Sequence, residues 1–206
     1  MTKTLDEGVI KFKYTLKLSK SLKTEEYIAI EKWRAILFKM GLIGEYPREK
    51  VGYGNLSKKI DSKSEEFIIT GTQTGKLPNL TGSHYTHIIK CNLKNMTVEA
   101  KGPIAPSSET LTHHAIYSTC EQINSIFHVH DPVLWTYMIK EDMEATSEKV
   151  SYGTEEMGIE ASRCIGDKKS GVFVMKGHQD GIIAYGSNAE EAGKIILEIF
   201  KKSRNQ

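Results

Sequence analysis

The run Phe127-His128-Val129-His130 places two imidazoles two residues apart. On an extended strand, residues i and i+2 project to the same face. His128 and His130 can then aim at one ion, and neutral imidazole nitrogens suit zinc or another divalent transition metal. Taken alone, the pair reads equally well as two polar residues on the exposed face of a strand. A catalytic zinc centre commonly uses three protein ligands and keeps one position open. His178, in Lys176-Gly177-His178-Gln179-Asp180-Gly181, stands at the end of an apolar run and can supply the third. By itself that run is an ordinary turn carrying a surface histidine.

A second group of residues suits an anion. Pro106-Ser107-Ser108-Glu109 reads as a helix start, where free backbone N–H groups and two hydroxyls can hold a negative group. Glu109 can act there as a general base, or simply complement the helix dipole. The segments Gly52–Ser57 and Thr70–Gly75 are rich in glycine and small polar side chains. Such loops let the backbone approach a ligand, or else they are plain turns. Neither carries the lysine of a P-loop nor the dinucleotide fingerprint. His113 and His114 are adjacent on a helix and cannot face the same way, so at most one reaches the site. His84 and His87 have no partner identifiable from sequence and read as structural or exposed.

These residues need elements to position them. Alternation at Phe12, Tyr14, Leu16 and Leu18 predicts an early strand. Thr24 is the expected cap of a helix running to about Met40, with Tyr27, Ile30, Trp33, Leu37 and Met40 at helical spacing, and Gly41 ends it. Strands are expected around Leu56, at Phe67–Thr70, Tyr85–Cys91, Thr97–Ala100 and Ser125–His130, and at Gly171–Met175 and Gly181–Tyr185. Helices are expected from Ser107 through Tyr117, at Pro132–Lys140, at Thr154–Cys164, and from Asn188 to about Lys201. The result is an α/β chain without strict βαβ alternation, which implies helices layered on a mixed or antiparallel sheet.

Composition narrows the partners. The 206 residues carry 28 basic and 26 acidic side chains, a net charge of +2. Charge therefore gives no argument for nucleic acid or a membrane surface. No apolar run approaches the roughly 20 residues of a spanning helix, and no signal peptide is evident. Cys91, Cys120 and Cys164 are too few and too scattered for a disulfide framework or a Cys-x-x-Cys site. They fit a reducing, cytoplasmic setting. One continuous domain over residues 1–206 is expected, with residues 1–23 as an N-terminal extension holding the early strand.

The order of the motifs is distinctive. Gly54-Asn55-Leu56-Ser57 is followed by Thr70-Gly71-Thr72-Gln73-Thr74-Gly75, Pro106-Ser107-Ser108-Glu109, His128-Val129-His130, Gly153-Thr154-Glu155-Glu156, and a strand-end histidine near a glycine. This order resembles the class II aldolase/adducin family over roughly Thr24 to Phe200. The resemblance implies a single-domain α/β/α sandwich with a mixed, largely antiparallel central sheet, usually assembled as a cyclic homotetramer. It implies Zn2+, or another divalent transition metal, on His128, His130 and His178. It makes Glu109 the catalytic carboxylate and Asn55, Thr74, Gly75, Ser107 and Ser108 the phosphate cradle. The activity implied is that of a metal-dependent aldolase or lyase on a small sugar phosphate or related hydroxy-carbonyl compound, through a metal-stabilised enediolate. Relatives on this scaffold also epimerise, dehydrate or decarboxylate, and adducin-like modules serve assembly without catalysis. Glu109 together with three candidate histidines favours catalysis.

Two departures from the family pattern stand out. In the aldolases the third ligand histidine directly precedes a glycine, whereas here Asp180 precedes Gly181. Either Asp180 takes the place or a two-residue insertion leaves His178 as the ligand, and His178 is the expected one. The stretch between His130 and Gly153 is also shorter than the one that supplies the aldolases' tyrosine proton donor. Tyr137 and Tyr152 are the nearest tyrosines. The site is expected at a surface cleft.

Overall fold

The structure is a computed structural model that describes residues 7–205; residues 1–6 and 206 of the expected single domain lie outside the described residues. Ten strands and five α-helices follow in the order β1 (Lys13–Leu18), α1 (Thr24–Lys39), β2 (Gly44–Tyr46), β3 (Val51–Tyr53), β4 (Asn55–Lys59), β5 (Phe67–Thr70), β6 (Tyr85–Asn92), β7 (Thr97–Gly102), α2 (Thr110–Thr119), β8 (Ser125–His130), α3 (Pro132–Lys140), α4 (Glu155–Ile165), β9 (Gly171–Val174), β10 (Gly181–Gly186) and α5 (Ala189–Arg204). Eight strands form one sheet in the order β1-β7-β6-β5-β4-β8-β10-β9, and β2 pairs with β3 apart from it. Only the β1–β7 pair in the large sheet is parallel. The fold is therefore an α/β/α sandwich around a mixed, largely antiparallel sheet.

Local chemistry accounts for the helix starts. Asp131 accepts from the Leu134 N–H ahead of Pro132, Thr154 from Met157, and Asn188 from Glu191. At α1 the expected cap fails: Thr24 is the first helical residue, and the Glu26 carboxylate reaches back to the Lys23 N–H at 2.6 Å. The helix after Pro106 begins at Thr110, with Glu109 itself in the cap position.

β8 divides its residues between two cores. Phe127 and Val129 join Ile30, Leu37, Leu134 and Ile196 from α1, α3 and α5. Ile126 faces the other way, into a cluster with Leu111 and Ile116 of α2 and Met157 and Ala161 of α4. The alternation of a strand then sends His128 and His130 to the α2/α4 side. β4 and β10 flank β8, so its backbone is paired on both edges. Asn55 lies opposite His128 in one register, and Gly181 lies opposite His130 in the other.

β1 departs from its expected alternation. Phe12 is buried but precedes the strand, and Leu18 is exposed at the sheet edge. β2 and β3 carry no alternating pattern in three residues each, and the sequence does not announce them.

Candidate functional site

The three histidines predicted from sequence converge. One ring nitrogen from each of His128, His130 and His178 lies within 4.8 Å of the other two. The Nε2 atoms of His128 and His130 are 2.9 Å apart. His128 Nδ1 sits 3.2 Å from the Ile182 carbonyl, which can only accept. That fixes the proton on Nδ1 and leaves the Nε2 lone pair facing the cluster. His130 Nδ1 lies 3.0 Å from the Tyr46 hydroxyl. Backbone or hydroxyl partners on the far nitrogen are the usual way a ligand imidazole is oriented. Burial lowers the pKa of both rings, to about 3 for His130 and well below the ordinary value for His128. Neutral rings with inward lone pairs form a donor set that suits zinc or a similar divalent ion.

His178 is brought in by the hairpin between β9 and β10. Met175 N–H donates to the Gly181 carbonyl, closing the loop, and the Gly181 N–H donates to the His178 carbonyl at 3.0 Å. A Cβ on Gly181 would stand 3.2 Å from both His128 Cε1 and His178 Cγ. Glycine there lets the two rings approach. Asp180, the alternative ligand, takes a φ of 64° in the turn and stays outside the histidine cluster. Burial pulls the His178 pKa down, but the Glu7 carboxylate, by hydrogen bond and charge, outweighs it, so the ring is held above its ordinary value.

Glu109 lies 3.6 Å from His178 Nδ1. It is buried, and among the described residues neither of its oxygens has a hydrogen-bond partner. Burial raises its pKa, against the opposing charge of His178. An unsatisfied buried carboxylate calls for a further partner, and a metal or a substrate hydroxyl would supply one.

The residues expected to hold an anion are brought together as well. Asn55, Thr74, Gly75, Ser107 and Ser108 line one cavity, together with Glu7 and Gly8. Their parts differ. The Thr74 hydroxyl already donates to the Gly71 carbonyl at 2.8 Å. A Cβ on Gly75 would lie 2.2 Å from the Gly44 carbonyl oxygen, so glycine is required there by backbone packing. Asn55 Oδ1 is buried without a hydrogen-bond partner among the described residues.

Arg34 and Glu7 were not read from the sequence, and of the two candidate tyrosines only Tyr152 reaches the cluster. Arg34 of α1 is buried and donates to the Thr74, Gly75 and Leu77 carbonyls, which pins the 74–77 loop. Tyr152 stacks on His178 with ring centroids 4.6 Å apart. Tyr137 packs against the core on the opposite side of the sheet. Glu7 Oε2 lies 2.6 Å from His178 Nε2. Nothing in the N-terminal sequence signals that contact, because the residues are 171 positions apart.

The expectation of a surface cleft needs correction. His128, His130 and His178 are 1%, 3% and 4% exposed. A central strand carries two of them, and Glu7, Tyr46 and Tyr152 cover the cluster. His113 joins a different group: its Nδ1 is 2.7 Å from Ser57 Oγ, which is 2.7 Å from the Tyr117 hydroxyl. His114 is not part of the cluster either. His84 and His87 do have partners, the Thr81 N–H at 3.0 Å and Glu66 at 2.5 Å.

An α/β/α sandwich around a mixed, largely antiparallel sheet is an architecture shared with class II aldolases. The chain belongs to that family: the model of the class II aldolase and adducin N-terminal domain matches residues 43–204. No curated protein matches the chain. Among solved structures, L-fuculose-1-phosphate aldolase from Thermus thermophilus is similar, at 18% identity and a TM-score of 0.64, covering 88% of this chain and 92% of that one. A sugar-phosphate aldolase from Thermotoga maritima is also 18% identical, with a TM-score of 0.69 and coverages of 87% and 92%. A Klebsiella pneumoniae protein described as a candidate aldolase, epimerase or decarboxylase is 16% identical, with a TM-score of 0.66 and coverages of 88% and 87%. At these identities the likeness concerns the fold. No helix of the described residues is long and apolar enough to cross a membrane.

Proposed function

We propose that this chain is a divalent-metal-dependent lyase of the class II aldolase type, acting on a small phosphorylated hydroxy-carbonyl compound. The observation that carries the reading is the convergence of three imidazole donors beside a buried, unpartnered carboxylate. His128, His130 and His178 would hold zinc or a similar ion. When bound, the ion supplies Lewis-acid polarisation of a substrate oxygen. Glu109 then moves the proton, since its raised pKa brings it closer to the range where a carboxyl can both accept and release one. Ser107, Ser108 and Asn55 would hold the phosphate through hydroxyl, amide and backbone N–H groups, with Thr74 and Gly75 shaping the wall. Fixing the anion relative to the histidines positions the reacting carbons.

Proton removal beside a carbonyl also begins epimerisation, dehydration and decarboxylation, so the product decides among them. A metal-loaded screen of ketose phosphates, following release of a carbonyl fragment, tests the aldol reading. Less than about a tenth of an equivalent of bound ion after supplementation with zinc, manganese or cobalt overturns it, and leaves a non-catalytic assembly module as the reading. The family resemblance further supports one cytoplasmic domain assembled as a homotetramer, which sedimentation of the purified chain tests.

A further inference from the structure

A second cavity opens at the far end of β4 and α2. On β4, Asn55, Ser57 and Lys59 alternate onto one face of the strand. Asn55 lines the cavity beside the histidines, and Ser57 is tied to His113 and Tyr117. At about 3.3 Å per residue, Lys59 lies roughly 13 Å along the strand from Asn55. On α2, His113 and Tyr117 follow Glu109 in steps of four, which keeps them on one helix face. The two rows run together from the histidine cluster to the second cavity.

This cavity measures about 450 Å³, a size in the range of small-molecule sites. It is lined by Lys59 of β4, by His114, Tyr117 and Ser118 of α2, and by residues 62–65 of the loop that follows β4. The loop is held by its own turns. The Asp61 carboxylate accepts from the Lys63 N–H at 2.9 Å, and the Asp61 carbonyl accepts from the Ser64 N–H at 3.0 Å. Ser64 Oγ accepts from the Glu66 N–H at 2.9 Å, which leaves its proton able to donate.

Lys59 is only 7% exposed, and a lysine is almost never this buried unless it is paired. Its Nζ donates to the Glu121 carbonyl at 3.3 Å and sits 5.6 Å from the centre of the Tyr117 ring. Among the described residues it forms no ion pair with a carboxylate. Burial lowers its pKa, and the charge of Glu121 offsets this only in part. An ammonium carries three donors, so a single carbonyl leaves it short of acceptors. Tyr117 supplies none, because its hydroxyl is engaged with Ser57 at 2.7 Å. An anion in the cavity would complete the group. Lys63 adds a second positive charge to the lining, and Glu65 and Glu121 add two negative ones. That balance admits one anionic group and opposes a polyanion.

We propose that this cavity is a second ligand site, separate from the histidine cluster, and that it binds a small hydroxylated compound through one oxyanion group, carboxylate or phosphate, on Lys59. Ser64, Ser118 and His114 offer hydrogen bonds to the rest of the ligand, and the Tyr117 ring offers an apolar wall.

Histidine-ring 1H–13C spectra of the full-length protein read both sites at once. His114, assigned through His114→Gln, reports the second cavity, and His128, His130 and His178 report the cluster. Inorganic phosphate, acetate and pyrophosphate are the probes, titrated at constant pH and ionic strength. Phosphate or acetate should shift the His114 signal saturably, with a Kd of about 1 mM or tighter. The one that binds more tightly names the oxyanion class. Lys59→Met keeps the apolar stem beside Tyr117 and removes the charge. It should weaken that binding roughly tenfold or more, as loss of a charge-assisted hydrogen bond implies. Ser64→Ala, in the loop, should weaken it roughly threefold and carries the test if circular dichroism shows Lys59→Met unfolded. Pyrophosphate should bind no more tightly than phosphate. A His114 signal unmoved by phosphate and acetate up to about 50 mM overturns the proposal. So does a midpoint unchanged in the folded variants, or pyrophosphate bound roughly tenfold more tightly than phosphate. Phosphate shifts confined to His128, His130 and His178 also overturn it, and leave the cluster as the only anion site.

Discussion

Two groups of buried polar side chains lie between the sheet and helices α2 and α4, and they are finished differently. In one, Ser57 joins His113 and Tyr117 by two hydrogen bonds of 2.7 Å, with only His113 Nε2 left over. In the other, three imidazoles crowd together, and both Glu109 oxygens and His178 Nδ1 remain without hydrogen-bond partners among the described residues. Each unsatisfied buried group costs about 1–3 kcal/mol. A chain tolerates several in one place when another partner completes them. The first group is therefore largely closed in on itself, and the second is the one proposed to hold an ion and a substrate.

The comparison can be broken by substitution. His128→Ala or His130→Ala should weaken cobalt or zinc binding by roughly a thousandfold or more, because each ligand carries a large share of a centre worth about 10–16 kcal/mol. Equilibrium dialysis reads this, and a variant within tenfold of wild type contradicts the assignment. Glu109→Gln should keep the metal and lower turnover on the eventual substrate by about 10²–10⁴-fold. Full activity in that variant removes Glu109 as the proton carrier.

His113→Ala sharpens the contrast from the other side. It deletes a fully buried ring, so denaturant unfolding should show a loss of about 2–4 kcal/mol. Metal affinity should stay the same, and a parallel fall would merge the two groups into one. Tyr46→Phe removes the hydroxyl beside His130 Nδ1 and should weaken metal binding about tenfold.

The smallest effect belongs to a surface control. Glu160 is held below its ordinary pKa by hydrogen bonds from Arg163 and the Ser147 N–H. Burial pushes the Glu144 carboxyl up, but the hydrogen bonds and charges of Lys168 and Arg163 together outweigh this and hold it below its ordinary value. A depressed carboxylate stabilises the fold above its unfolded pKa, and that share is lost as pH falls through the folded value. Arg163→Ala should remove only a few tenths of a kcal/mol at neutral pH, since its side chain is 51% exposed and water screens the pairs. It should also flatten the acid limb of the stability profile, which urea melts from pH 7 to pH 3 would show.

Much of the fold was legible in local signals. The side-chain acceptors at Asp131, Thr154 and Asn188 announce three helices, and period-two alternation places Phe127 and Val129 opposite His128 and His130. The misreadings also have physical causes. Three-residue strands such as β2 and β3 are too short to alternate. Thr24 looked like a cap, but Glu26 satisfies the end of α1 from within. The residues proposed as a phosphate cradle were chosen by type, yet the Thr74 hydroxyl and Gly75 serve the loop's own packing.

By itself the sequence determined which side chains share a strand face, where α3, α4 and α5 begin, and that His128, His130, His178 and Glu109 were candidates for chemistry. These are short-range properties, set by backbone period and by hydrogen bonds a few residues long. Only the tertiary structure decided that β4, β8 and β10 are neighbours. The same holds for the enclosure of the histidines by Tyr46 and Tyr152, and for the contact of Glu7 with a ring 171 positions away. Those contacts come from strand pairing and segment docking across the whole chain, and such long-range partners leave no spacing to read.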